Sequence, residues 1–225
     1  MGALIGDLLP LAVGIAVSPV PVIATILMLL APRAGRTSSA FLLGWVAGIA
    51  GVTIAAALIA GAVGPGSDRG PSALGGWIKL VLGILLLVLA RRQWRGRARD
   101  GQAEAPRWMA AIDTVTPGRA LGLAAGLAAL TPKNLLLGLA AGSAIGEARA
   151  GGVAVVLPTL VFVIIAAITV AGPVVAYLLA SNRLRAPLAD LQTWLQTNNA
   201  AVMTVLFLVL GASLFGKGLG QITTA

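Results

Sequence analysis

Long apolar windows separated by short polar stretches dominate the chain. They run near residues 4–31, 37–63, 73–90, 119–147, 153–180 and 199–219. A hydrocarbon core of ~30 Å needs about 20 apolar residues in a helix, so the pattern predicts six membrane spans. Proline interrupts two of them near their middles, at Pro19 and Pro21 in the first and at Pro132 in the fourth. Two polar stretches keep apolar residues at helical spacing: Leu184, Leu188, Leu191 and Leu195 beside Trp194, and Trp108, Ile112 and Val115 after Pro106. Such segments lie in the headgroup plane, and both are expected to anchor loops at the interface.

Composition agrees with this pattern. Hydrophobic residues make up 58% of the 225 positions and charged residues 10%, with a mean hydropathy of +0.97. A soluble domain carries about 25% charged residues, so soluble folding is excluded and residues 1–225 form a single membrane domain. It divides into a first repeat (1–90), a basic loop (91–118) and a second repeat (119–225). The net charge of +9 and pI near 11.7 would suit nucleic acid. However, the arginines gather in loops between apolar spans, without aromatic interleaving, so no nucleic-acid binding is expected.

Charge placement sets an orientation. The loop from Arg91 to Pro117 holds Arg91, Arg92, Arg95, Arg97, Arg99 and Arg107 against Asp100, Glu104 and Asp113, which makes it cytoplasmic by the positive-inside rule. Alternation then places Arg33 and Arg36, and Arg183 and Arg185, inside as well. The near-neutral loops at Asp68-Arg69 and Glu147-Arg149 fall outside, with both termini. A multi-pass protein of the cytoplasmic (plasma) membrane is expected. The start has no basic n-region and no cleavage site, so it reads as a retained helix rather than a signal peptide. Gly6 breaks the myristoylation pattern after Met1-Gly2.

The two proline-broken windows resemble each other. Leu11-Ala-Val-Gly-Ile-Ala-Val-Ser-Pro19-Val-Pro21 has a counterpart in Leu123-Ala-Ala-Gly-Leu-Ala-Ala-Leu-Thr-Pro132-Lys133-Asn134. In each, a glycine in a small apolar helix precedes a hydroxyl residue and then a proline, with an offset of one residue between the two. Each half adds two further spans, and an odd number per half forces opposite orientations. The expected fold class is therefore an all-α integral membrane protein of six transmembrane helices in two inverted three-helix repeats. Many secondary transporters use this plan, with interrupted helices marking the binding site.

Proline removes a donor and frees carbonyls of the preceding turn, here near 15–17 and 128–130. In hydrocarbon those groups must be satisfied by protein, water or substrate. The half-helices after the prolines present N–H groups and positive dipole ends, an anion-favouring arrangement. Lys133 lies mid-span, where a charge costs at least ~2.5 kcal/mol and is commonly functional. The structural alternatives are a re-entrant loop whose tip reaches solvent, or a bond to the freed carbonyls. The candidate substrate-binding set is Lys133, Ser18, Pro19, Pro21, Thr131, Pro132 and Asn134. Glycines 44, 48 and 51 form a small-residue face for helix packing, with Thr53 on the same helix. Gly138, Gly142 and Ser143 read as packing too, and Gly172-Pro173 as a bend.

The chain has no cysteine and no histidine, which removes disulfides, thiol relays, haem ligation and the usual zinc sites. Asp7, Asp68, Asp100, Glu104, Asp113, Glu147 and Asp190 all fall in loops or at span ends, so no metal site and no cofactor is expected. Without histidine or a buried carboxylate pair, no enzyme is expected either.

Thr131-Pro132-Lys133-Asn134 resembles the Asn-Pro-Lys motif of the LysE superfamily of exporters, with threonine for the first asparagine. Ser18-Pro19-Val20-Pro21 resembles that superfamily's first-span proline pair. Over nearly the whole chain the pattern is similar to the GAP family, the peptidoglycolipid- or sulfolipid-addressing proteins of actinobacteria. Supporting stretches are Phe41-Leu-Leu-Gly-Trp45-Val-Ala-Gly48, Pro106-Arg107-Trp108-Met109 through Asp113, and Ala171-Gly172-Pro173 with Tyr177. The resemblance implies two inverted triplets and a role in exporting complex envelope glycolipids or their precursors. Electron-carrying relatives use a cysteine in each broken helix, near where Ser18 and Thr131 stand. The expected function is transport of an anionic or zwitterionic substrate, a lipid or lipid-linked glycan head group, by alternating access around the breaks. Export of amino acids or other small solutes, and a non-transporting accessory role, are the alternatives. Membrane lipids, an envelope-lipid export machinery and a homo-oligomer are the partners entertained.

Overall fold

The computed structural model describes residues 2–31, 34–63, 73–100, 115–148, 153–180 and 185–223. Arg33, Asp68, Arg69, Glu104, Arg107, Trp108, Ile112, Asp113, Arg149, Arg183 and Leu184 lie outside the described residues, so the expectations resting on them concern sequence alone.

No strand occurs among the described residues. The helices are α1 (Gly2–Ala16), α2 (Pro19–Leu30), α3 (Ala34–Val63), α4 (Ala73–Asp100), α5 (Pro117–Leu130), α6 (Pro132–Glu147), α7 (Val153–Ala180) and α8 (Arg185–Thr223). Among the described residues, three stretches are long and apolar enough to cross a membrane: Ala34–Ala62, Val155–Leu179 and Ala200–Thr223. The pairs α1–α2 and α5–α6 bend by 53° and 68° at their breaks and bring the number to five if each is one span. The third predicted window, 73–90, is the first part of α4 and is not among these candidates; it holds Lys79, with Arg91 and Arg92 directly after it.

The outer surface is aliphatic. Leu58, Ile59, Leu160, Ile164, Leu179 and Val205 are each more than half exposed. Apolar exposure on this scale is foreign to soluble monomers and belongs against lipid. The interior is built on Phe41 and Trp45 of α3, Phe162 of α7, Leu86 of α4 and Leu137 of α6, all fully buried.

Glycine determines how closely the helices approach. Gly44 and Gly48 of α3 face Leu121 and Ala125 of α5, and Gly138, Gly142 and Gly146 of α6 face Thr53, Ala56 and Ala57 on the next turns of α3. Residue numbers rise together along this seam, so α3 runs parallel to the broken helix and splints both of its halves. Gly51 faces open space, so the packing face is narrower than the sequence suggested. The second seam joins α4 and α8 antiparallel: Gly76 meets Gly218 and Gly83 meets Gly211. A Cβ on Gly83 would stand 2.6 Å from the Phe215 amide nitrogen, so only glycine permits this contact.

The structure changes one expectation. The stretch 184–195 is not a separate loop anchor, because residues 185–223 form one continuous helix. Leu188 packs on Val22, Ile26 and Leu29 of α2, while Leu191 and Trp194 are exposed. Helix α7 runs unbroken through Pro158 and Pro173.

Candidate functional site at the two helix breaks

At the first break, Ser18 is the N-cap of α2, and its side chain makes no cap hydrogen bond. Pro19 occupies the first helical position and Pro21 the third. The Ser18 amide turns back to the Ala16 carbonyl at 2.8 Å. In a continuous helix that amide would bond Gly14 four residues back, so the turn releases the Gly14 carbonyl. At the second break Thr131 serves as C-cap of α5 and N-cap of α6, again without a side-chain cap bond. The released acceptor there is the Leu127 carbonyl.

Lys133 takes up the first of these carbonyls. Its Nζ donates to the Gly14 oxygen at 2.7 Å across 119 residues of chain, and the residue is 5% exposed. The lysine of one break is thus held by the backbone freed at the other. No carboxylate pairs with it among the described residues: Glu147 bonds Lys79 and Asp7 bonds Lys217. Asn134 remains with its own break, its Nδ2 donating to the Leu127 oxygen at 3.2 Å. Its Oδ1 is buried without a partner.

The sequence reading missed Thr169 of α7. Its hydroxyl donates to the Ala16 carbonyl at 2.7 Å, so two groups from the second half satisfy the first break. A hydroxyl in the middle of an apolar span was the available signal. Gly14 also matters more than the sequence suggested. A Cβ there would come within 2.6 Å of Leu210 and 2.8 Å of Leu137, so its absence lets α1 cross α6 closely enough for the lysine to reach. Trp45 Nε1 and Thr53 Oγ1 of α3 are also buried without partners, and Thr53 lies against Gly138 of α6.

The two helix starts differ chemically. Prolines at 19 and 21 delete two donors from the first turn of α2. In α6 only Pro132 is lost, and the Lys133 and Asn134 amides precede the first intrahelical bond, from Leu135 to Thr131 at 2.9 Å. The second break is therefore the better seat for an anion, with the Lys133 ammonium beside it. Ser18, Pro19 and Pro21 are buried, Thr131 is half-buried and Pro132 is exposed. Among the described residues, no group of histidine, cysteine or carboxylate side chains could hold a metal ion.

The family model for Sap, sulfolipid-1-addressing protein, matches residues 8–220. The chain belongs to this family. The match includes both breaks, Lys133, Thr169 and both glycine seams, so the geometry described above lies within the part that defines Sap-family membership. No curated protein and no solved structure matches the chain.

Proposed function

We propose that this Sap-family protein is a membrane transporter that moves an anionic amphiphile, its sulfate, phosphate or carboxylate held at Lys133 and the first turn of α6. The observation that carries the reading is a buried lysine at the crossing of two broken helices, with no carboxylate pairing with it among the described residues. A charge in that position is costly unless something pairs with it, and the Gly14 carbonyl supplies only one acceptor for three donors. Asn134 Oδ1 adds an unmet acceptor beside the site. The family's sulfolipid-addressing description supports a lipid whose head group carries negative charge. The residues suit binding and release without covalent chemistry, so no enzymatic step is proposed.

Alternating access between two inverted halves is the mechanism that fits. Exchanging the halves would relate Pro19 to Pro132 and the Gly76/Gly83 pair to the Gly211/Gly218 pair. The packing of α3 along α5 and α6 then corresponds to that of α7 along α1 and α2. Parallel α3/α6 and antiparallel α4/α8 are the directions that six alternating spans would produce, with 73–90 as the third span. Positive-inside charge supports a cytoplasmic 91–118 loop with both termini outside.

Purified protein in vesicles containing a fluorescent anionic lipid tests the reading. The native chain is expected to move the lipid between leaflets, and Lys133→Ala to stop this while remaining folded. Unaltered movement in Lys133→Ala would sink the site. No movement by the native chain alone would favour an accessory role in an export machinery.

A further inference from the structure

The surface of α1 and α8 carries a groove of about 560 Å³. Pro10 and Val13 form one wall and Val202, Val205, Leu206 and Val209 the other, all of them aliphatic. Val13, Val205 and Val209 are 45–63% exposed, so the groove opens sideways toward the bilayer.

Its origin lies in the break. Helices α1 and α8 run antiparallel, since Asp7 pairs with Lys217 while Gly14 faces Leu210. Each step toward the break on α1 is a step back along α8. α1 ends just past Gly14, where the chain turns by 53°, while α8 continues past Val205 and Val202. One wall stops and the other goes on, which leaves the groove.

The groove's inner end touches the polar site. Leu210 lines it and also stands against Gly14, its Cδ1 2.6 Å from where a Cβ would be. The Gly14 carbonyl holds Lys133. Leu210 thus touches both the groove and the residue whose carbonyl holds Lys133, so the apolar slot ends beside the anchor of the buried cation.

We propose that this groove receives an acyl chain of the amphiphile whose charged end is held at Lys133, so that the substrate enters laterally from the bilayer. This rests on the transport reading above and adds the entry route and the tail site. An all-aliphatic lining that ends beside the Lys133 anchor suits the tail of a lipid whose head group is charged. Bulk lipid tails visit any such groove. An anionic lipid stays because its head group is anchored one side chain away, and a zwitterionic lipid with a bulky choline gains no such anchor.

The absence of cysteine makes a clean test possible. Val205→Cys is labelled with a small fluorophore and reconstituted in vesicles whose brominated, quenching chains are carried by phosphatidic acid or, at the same fraction, by phosphatidylcholine. Quenching at 205 is expected to be severalfold stronger with brominated phosphatidic acid. At Leu179→Cys, on the lipid face of α7, the two lipids should quench alike. Lys133→Met, which keeps the side chain's bulk, should abolish the preference at 205, and Val202→Cys should repeat the pattern. Equal quenching by both lipids at 205 overturns the proposal, as does quenching by neither. A preference that survives Lys133→Met overturns the link to the breaks. Lipid movement measured on the same samples separates the two readings. If Lys133→Met stops movement while 205 shows no preference, only the groove fails; if movement persists, the site assignment fails with it.

Discussion

Lys133 is the residue where structural and functional roles can be separated by magnitude. Burying its ammonium mid-span costs about 2.5–3.5 kcal/mol on insertion scales. Its bond to the Gly14 carbonyl returns about 1.5–3 kcal/mol, the usual range for a charged donor. The two nearly cancel, so the lysine adds little net stability. Lys133→Met should therefore leave the thermal midpoint in detergent within a few degrees of native while removing lipid movement. A large fall in midpoint would show that the lysine is chiefly a structural brace. Thr169 is the contrasting case: it carries no charge and satisfies Ala16 directly. Thr169→Val should lower stability by about 0.5–1.5 kcal/mol, with a smaller effect on transport than Lys133→Met, as read by paired unfolding and flux assays. Proline and lysine in an apolar run were enough to locate both breaks. That Lys133 bonds Gly14 rather than its own freed carbonyls could not be read from sequence, because the pairing crosses 119 residues and depends on how α1 and α6 cross.

At the scale of elements, apolar windows gave helix positions well because burial in lipid needs only length and hydrophobicity. They failed at α8, whose first part lies before the apolar window at 199–219 and therefore looks like a separate loop segment. Leu188 packing on α2 keeps that part in register with the rest of the helix. Glycine roles were only partly legible, since a small residue implies close approach only when a partner is opposite. Gly48 has the Ala125 carbonyl oxygen 2.9 Å from its missing Cβ, whereas Gly51 has nothing within 4 Å. Gly48→Leu should consequently force α3 from α5, costing on the order of 1–3 kcal/mol or more. Gly51→Leu should fold like the native chain. Comparing the two by size-exclusion profile and thermal midpoint checks the seam, and equal behaviour would remove α3 as a splint for the broken helix.

For the whole molecule, the placement of charge suggests which side is closed. Both ion pairs found among the described residues join the first half to the second, and both lie at the same end of the bundle. Lys79 at the start of α4 bonds Glu147 at the end of α6 and Gln221 near the end of α8, each at 2.8 Å. Asp7 of α1 pairs with Lys217 of α8. By the orientation proposed above this end would face outward, and in the transport reading the pairs would act as a latch on that side. The Asp7–Lys217 pair is about half exposed and contributes little. The Lys79 cluster is less exposed, at 16% and 23% for lysine and glutamate, and is the stronger fastening. If it favours the outward-closed form by ~1 kcal/mol, losing it shifts the ratio of closed to open about fivefold. Ser18→Cys, a near-isosteric change in a chain without other cysteines, reports access to the first break. In sealed vesicles of known orientation, a membrane-impermeant thiol reagent added on the outer side should label Ser18→Cys slowly. It should label the Lys79→Ala/Ser18→Cys double variant severalfold faster, and Asp7→Asn should have a smaller effect. Unchanged labelling in the Lys79 variant would mean that the cluster fastens helix ends without gating the path to Lys133.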